Sequence, residues 1–500
     1  MQHRFLYRVF SLLLVIGLLL VAYPVGVKAM PAGTWQTGIK IQNLSSTEEA
    51  TLIVDLYAPA GGAVATSIST TSTGQPLKAA AGGSVEVFLP SYSITAGQYS
   101  AVVSSNVEVG VVVTNTNYTA GLADSYNAMA PGKQISVPTV YHAHNSWSTE
   151  IFMQNTSATQ AANVTVNFVE PSNSGSAGDG VAVRSVPVVI PAAGVASLDT
   201  STAQFGTGGT YDLGWFIGAA TIQSDVDLAV AINQVRVVGS GDVRGNVMVA
   251  NRGLSAVDGG TKVLLPSLYK TFGGNGSWQS GIKVQNVSGS TAHVTIQFAG
   301  DPGYPAFNGV KTMTIQPGLN EEFYLPTGKV DGGATAPDWF KGYAVVTSDV
   351  AVVASVLHTN YGAADNFGVA VGYAGFATGA DKLSLPSLYV WPSGAGVWIS
   401  GIKVQNLGGS SATFTVKFTA DPDSFDKTTA TTGQVTLGPG EAYECYMGSV
   451  MNPGGINIPQ GWKGSAVVTA TDTSAELVAT VLHTNYGRHV ANMYTGVPYP

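Results

Sequence analysis

Trp278-Gln279-Ser280-Gly281-Ile282-Lys283-Val284-Gln285-Asn286 alternates along its length. Trp278, Ile282 and Val284 fall on one side of an extended chain, and Gln279, Lys283 and Gln285 on the other. Side chains of a strand point to opposite faces with period two, so this rhythm predicts a half-buried strand with its lysine and glutamines outward. Asn286, followed by Ser and Gly, suits a turn. The next run places Ala292, Val294, Ile296 and Phe298 on one face, and the two runs are expected to pair as a hairpin. Further runs at 310–315, 321–325, 342–347, 350–359 and 367–373 follow, separated by Gly, Pro, Asp or Asn. No stretch beyond the first thirty residues shows a helical period.

The same stretch is written four times. Trp398-Ile-Ser-Gly-Ile-Lys-Val-Gln-Asn406 is nearly identical, and Trp35 to Asn43 and Trp147 to Asn155 are versions earlier in the chain. The tryptophans recur at intervals of roughly 110–130 residues, a whole domain and not the 20–50-residue rung of a solenoid. Val356-Leu-His-Thr-Asn-Tyr-Gly362 matches Val481 to Gly487, with weaker forms at Val113 to Tyr118 and Ala231 to Arg236. Leu265-Pro-Ser-Leu-Tyr269 and Leu385-Pro-Ser-Leu-Tyr389 open copies three and four, and Val137-Pro-Thr-Val-Tyr141 opens copy two. Copy one lacks this opening string, its place being taken by leader sequence. The expected division is a signal peptide at 1–29 and repeats at 30–134, 135–260, 261–381 and 382–500, each a bead with its own core, strung as an extended rod.

The leader has His3, Arg4 and Arg8, an apolar run over 9–22, Pro24, and the small-residue site Val27-Lys28-Ala29. Positive, apolar, small is the order of a secretory signal, with cleavage expected after Ala29. The apolar run is short for a membrane span, and no second span is expected after cleavage. Charged residues are 10% of the chain and the net charge is −8 with no basic block, which disfavours nucleic-acid binding. The single cysteine, Cys445, forbids an intramolecular disulfide and reads as a small semi-buried residue.

About seven short strands per hundred residues is the pattern of an immunoglobulin-like sandwich. On the Trp…Gly-Ile-Lys-Val-Gln-Asn and Leu-His-Thr-Asn-Tyr-Gly strings and their fourfold recurrence, the chain resembles the tandem immunoglobulin-like β-sandwich repeats of secreted bacterial surface and adhesion proteins. The resemblance implies an all-β fold of four tandem antiparallel β-sandwich domains. The Cys…Trp…Cys arrangement of antibody domains is absent.

Residues with chemical potential are few. His358 and His483 each precede Thr-Asn-Tyr, but copies one and two carry Asn115 and Asn233 at that place. Asn can share a hydrogen-bonding role with His but cannot take up a proton, so a structural role is expected. His142 and His144, alternate along a strand, would share a face as two metal ligands, against the plainer reading of an exposed loop pair. Asp421, Asp423, Asp426 and Asp301 are candidates for Ca²⁺ but lack an ordered ligand loop, and they read with Asp225 and Asp227 as turn residues. Tyr269, Phe272, Tyr304, Tyr389 and Trp391 form a candidate sugar platform, weighed against packing in a core or between repeats. Glycosylation sequons stand at Asn43, Asn155, Asn286, Asn117, Asn163 and Asn275, and turn chemistry accounts for the three that end the Trp strand. No catalytic, cofactor or metal residue is assigned. The expected function is a secreted, non-catalytic structural or adhesive surface protein. Its expected partners are other copies of itself or cell-surface components. A carbohydrate-binding protein is the alternative, and a hydrolase with an inter-domain site the third.

Overall fold

The computed structural model describes residues 33–59, 63–171, 183–238, 245–273, 278–362, 367–393, 396–447 and 456–499. The expected leader and Asn275 lie outside them. The described chain is all-β, built from several antiparallel sheets, with two single-turn 3-10 segments.

Copy three shows the plan. Its opening strand is Gly260–Lys270, its Trp strand Trp278–Asn286, and its next strand Ala292–Gly300. A single 23-residue strand, Phe340–Gly362, then runs through the whole unit. Its first half pairs with the opening strand and with Ala292–Gly300, and its second half with the Trp strand and Phe367–Ala374. The expected separate strands at 342–347 and 350–359 are thus one continuous element. The Trp strand and its successor do not pair as a hairpin either, since each joins a different half of the long strand. Both rhythms are strands, but a period of two says nothing about which strand lies alongside. Ile282, Val284, Val294, Ile296, Phe298, Val346 and Val356 meet in one core between the halves.

Copy two follows the same plan, with opening strand Gly132–His142 and long strand Phe216–Arg236. Copy four has opening strand Lys382–Ser393, and its long element is divided into Trp462–Ala470 and Leu477–Asn485. Copy one is divided likewise into Ser100–Ser105 and Val109–Asn117. Among the described residues it has no opening strand.

The copies are not beads on a rod. The last strand of each is Leu122–Asn127, Val247–Arg252, Phe367–Ala374 and Val490–Thr495 in chain order. The first packs on the second, the second on the third, the third on the fourth and the fourth back on the first. These four inner strands close a cycle that joins copy one to copy four, which a linear array would hold furthest apart.

Candidate functional site: the inner strands and the seams between copies

Small residues let the inner strands approach. Ala123, Ala370 and Ala491 occupy matching places opposite Thr116, Thr359 and Thr484 of their own neighbouring strands, and Met248 stands at that place in copy two, opposite Val235. A Cβ on Gly372 would lie 2.8 Å from Val249 Cγ1 and 2.9 Å from the Val356 carbonyl oxygen, so glycine is required for this contact. Between the first and last inner strands the Ser125 hydroxyl donates to Asn492 Oδ1 at 2.7 Å. Asn127 Nδ2 donates to the Thr495 carbonyl at 2.8 Å, and the Thr495 amide returns a bond to Asn127 Oδ1 at 3.0 Å.

The lysine of Gly-Ile-Lys-Val, expected outward, is buried at these seams. Lys40 is 1% exposed and pairs with Asp421 of copy four, which also accepts from Ser84 Oγ at 2.5 Å. Lys403 pairs with Asp301 of copy three at 2.5 Å. The turn aspartates Asp301 and Asp421 are therefore anchors for the neighbouring copy. A second layer joins Lys463 to Glu86 at 2.8 Å and Lys341 to Glu444. Burial raises the Asp421 carboxyl against the pull of Lys40, and burial lowers the Lys403 ammonium against the pull of Asp301. Glu86 is held below its ordinary value, because Lys463 and Lys40 together outweigh its burial. Asp423 pairs with Lys463 at 2.7 Å, and Asp426 caps the Thr428 amide. Asp225 accepts from Asn163, and the Asp227 carbonyl accepts from Thr156.

The histidines are sealed. His358 and His483 are both 0% exposed. His358 Nδ1 meets Ser280 Oγ at 2.9 Å, a serine that also accepts from the Tyr269 amide at 2.7 Å. His483 meets Asn492 Oδ1 at 2.8 Å and the Ser387 carbonyl at 2.9 Å. Burial pushes His358 down to about 3 and His483 down to about 4. A neutral imidazole with so low a pKa is a weak base near pH 7. In copy one Thr37 Oγ1 donates to Asn115 Oδ1 at 2.8 Å, and Asn115 Nδ2 donates to Asp124 at 3.0 Å, so asparagine fills the histidine's place. In copy two the expected match at Asn233 is one residue off: Gln234 faces Thr149 as His358 faces Ser280, and its Nε2 donates to the Thr139 carbonyl at 2.9 Å.

His142 and His144 do not share a face. Ala143 between them has φ of 54°, which breaks the alternation. His142 is buried with Nδ1 at 2.5 Å from the Thr200 carbonyl, and His144 lies against Trp215 at 4.1 Å between ring centroids. Among the described residues no three His, Cys, Asp or Glu side chains are grouped to hold a metal ion. Cys445 is buried, and burial pushes its thiol up to about 11, away from nucleophile chemistry. Sequence reasoning missed one acid pair: Glu150 stands directly across from Asp199, and burial followed by the Asp199 charge raises Glu150 to about 8. Their separation in sequence gave no sign of it.

The asparagine that ends each Trp strand is structural. Asn43, Asn155, Asn286 and Asn406 are all fully buried. Asn286 Nδ2 donates to the Ser290 and Ile315 carbonyls at 2.7 and 2.9 Å, while Oδ1 accepts from the Ser288 amide at 2.9 Å. The other three repeat this pattern. In the folded protein these amide nitrogens are committed to the fold, and three of the sequons are thereby explained.

Aromatic side chains gather beside the seams. Trp339 is 55% exposed, in the left-handed region at φ 63°, where the matching residue of copy four is Gly461 at φ 92°. A bulky residue held there is an outlier. Its ring meets Phe272, which meets Tyr269 and Tyr304, with the Lys341 ammonium over the Phe272 and Tyr304 rings. In copy four Trp391 stacks on Phe425 at 4.5 Å with Lys463 over it, and Phe425 is 76% exposed. Of the expected platform, Tyr269, Phe272, Tyr389 and Trp391 are half-buried and Tyr304 is exposed. Trp339, Phe425 and Trp215 were not foreseen. No protein-family model and no curated protein matches this chain.

Proposed function

We propose that this chain works outside the cell as a non-catalytic structural or adhesive protein. In this reading the copies at 30–134, 135–260, 261–381 and 382–500 are four immunoglobulin-like β-sandwich domains, closed into a ring through their inner strands. The observation that carries it is the mutual burial of Lys40 with Asp421 and of Lys403 with Asp301, which commits charged groups to assembly and not to a cleft. The histidines support the same reading, being sealed and uncharged. A ring offers a broad rim to a surface or to further copies. Imaging of the purified chain should give compact four-lobed particles, singly or in ordered arrays. Extended rods would refute the ring, and specific turnover lost with His358→Asn would refute the non-catalytic reading.

A second reading is favoured by Trp339 and by the Trp391–Phe425 stack: binding of carbohydrate through exposed rings. Aromatic faces flanked by Asp338 and Thr271, which bond each other at 3.0 Å, suit the apolar and hydroxylated faces of a sugar. Retention on an insoluble polysaccharide, lost in Trp339→Ala with Phe425→Ala, supports this reading. Unchanged retention, or none in the parent, removes it.

A further inference from the structure

Three of the seams open to solvent on aromatic side chains. The edge strands Ser84–Phe88, Asn320–Tyr324 and Ala442–Tyr446 run along them. Alternate residues of a strand share a face. Ser84 bonds Asp421 and Glu86 bonds Lys463, both of copy four, so Phe88, next on that face, stands where the seam opens. Asn320 bonds the Pro138 carbonyl of copy two at 2.8 Å, and Glu322 and then Tyr324 follow on the same face. Glu444 pairs with Lys341 of copy three, and Tyr446 follows it. Phe88, Tyr324 and Tyr446 are all exposed.

Across each opening the preceding copy presents a second exposed ring. Trp215 and Trp339 hold the same place, just before the phenylalanine that starts each long strand. Trp215 lies against His144, which lies against Tyr141, and Trp339 lies against Phe272. Burial first, and then Glu322, Tyr361 and Tyr324 of copy three, raise the Tyr141 phenol, so the two sides of that opening are within electrostatic reach. Copy four has Gly461 at the tryptophan's place, and there Phe425, from the turn of Asp421, supplies the ring by stacking on Trp391. The ring thus changes its place in the chain and keeps its place at the seam. Trp339 is held there against backbone preference. It and Thr271 have φ of 63° and 48°, and the Trp339 amide donates to Thr271 Oγ1 at 3.2 Å. The seam between copies one and two differs, because Asp199 stands where Tyr324 and Tyr446 stand.

The charges at the three openings neutralise one another: Lys341 with Glu444, Lys463 with Glu86, and Lys283 with Glu322 at 2.7 Å. What faces solvent is ring surface beside paired polar groups. That combination fits a neutral sugar, which has an apolar C–H face and a rim of hydroxyls.

We infer that the openings between copies two and three, three and four, and four and one are three subsites for one neutral polysaccharide, each gripping it with rings from two copies. This rests on the carbohydrate reading and extends it from one platform to three. The same contact recurs from copy to copy around the cycle, so the three openings lie on one side of it and can meet one polymer surface together. Linked subsites reinforce one another, whereas a short oligosaccharide that fills one of them gains nothing from the other two.

The test is retention of the full chain on cellulose, chitin and β-1,3-glucan, with Trp215→Ala, Trp339→Ala and Phe425→Ala made singly and together. All three rings are exposed, so the variants should melt with the parent. At least one polymer should retain the parent. Each single variant should weaken retention about tenfold, and the triple variant should abolish it. Trp339→Tyr, which keeps a ring face, should retain. A disaccharide of the same sugar should compete about a hundredfold less well, per sugar, than the soluble polymer. If one variant alone abolishes retention and the other two leave it unchanged, the three-subsite inference falls and the carbohydrate reading stands. Retention on none of the three polymers overturns the inference, and if charged alginate does not retain the chain either, the carbohydrate reading falls with it. If the variants abolish self-association in sedimentation and leave retention unchanged, the rings are contacts between chains and the inference falls.

Discussion

The seam between the last and first copies and the seam between the first and second are built differently. The former joins segments nearly four hundred residues apart and carries the buried Lys40–Asp421 pair, the Lys463–Glu86 pair, the Ser125–Asn492 and Asn127–Thr495 bonds, and Trp398 Nε1 donating to Tyr118 at 2.9 Å. The latter has Phe152 where the lysine would stand and rests on Leu122, Val235 and Met248, with Gln98 bonding the acid Glu150. The seam between copies three and four, which are also chain neighbours, carries the buried Lys403–Asp301 and Lys341–Glu444 pairs, so the first seam stands apart as the apolar one. Closure between chain ends has no covalent tether, and it adds the Ser125–Asn492 and Asn127–Thr495 bonds to its ion pairs. Buried ion pairs add little net stability but penalise every misalignment, which suits a contact that must find one register.

The largest effect should come from breaking that pair. Lys40→Met strands Asp421 in the interior and should cost about 3–5 kcal/mol in denaturant unfolding, whereas Lys40→Met with Asp421→Leu should recover most of it. Phe152→Ala at the other seam, removing a half-buried ring, should cost only about 1–2 kcal/mol. Equal losses at both seams would erase the contrast.

Acid should act next. His358 and His483 are neutral in the fold, with pKa values lowered to about 3 and about 4. Unfolding lets each take up a proton below its ordinary value. Stability should therefore be full above about pH 6.5 and fall below it, by about 1.4 kcal/mol per pH unit for each histidine, until the folded pKa is reached. Since His483 holds Asn492, the acceptor of Ser125, the closing seam should loosen in acid. His483→Asn should halve the slope measured by thermal melts between pH 4 and 6.5.

Gly372→Ala should cost about 1–3 kcal/mol, because its new Cβ meets backbone and Val249 at the inner strands. The smallest effect is the opposite in sign. Glu150 is raised to about 8, so the fold prefers it protonated, and its contribution is lost as pH rises from about 4.5 through 8. Glu150→Gln should thus stabilise the protein by about 1–2 kcal/mol at pH 8 and change little at pH 5. The first seam would then be the alkali-sensitive one, and the closing seam the acid-sensitive one.

Several features of the site were readable beforehand. The exchange of His358 and His483 for Asn115 pointed to a hydrogen-bonding role, although the match at Asn233 was one residue off, and Cys445, expected semi-buried, is buried. Asp301 and Asp421 do open turns as expected, but a turn aspartate that also anchors a seam looks like any other until the neighbouring copy is in place. Trp339 escaped notice because its exposure depends on a left-handed backbone that no pattern announces.

What the sequence determined alone was the strand: alternation of Ile282 and Val284 against Lys283 and Gln285 fixes extended chain and its four recurrences, because period two is a local property of the backbone. What only the tertiary structure decided was the company each strand keeps. Lys40 lies on the polar face of its strand and is nonetheless buried, because a second copy supplies Asp421 and Ser84 where water would have been. Polarity chooses the face, but the solvent at that face is set by whichever part of the chain arrives there, and that is a long-range outcome no local pattern encodes.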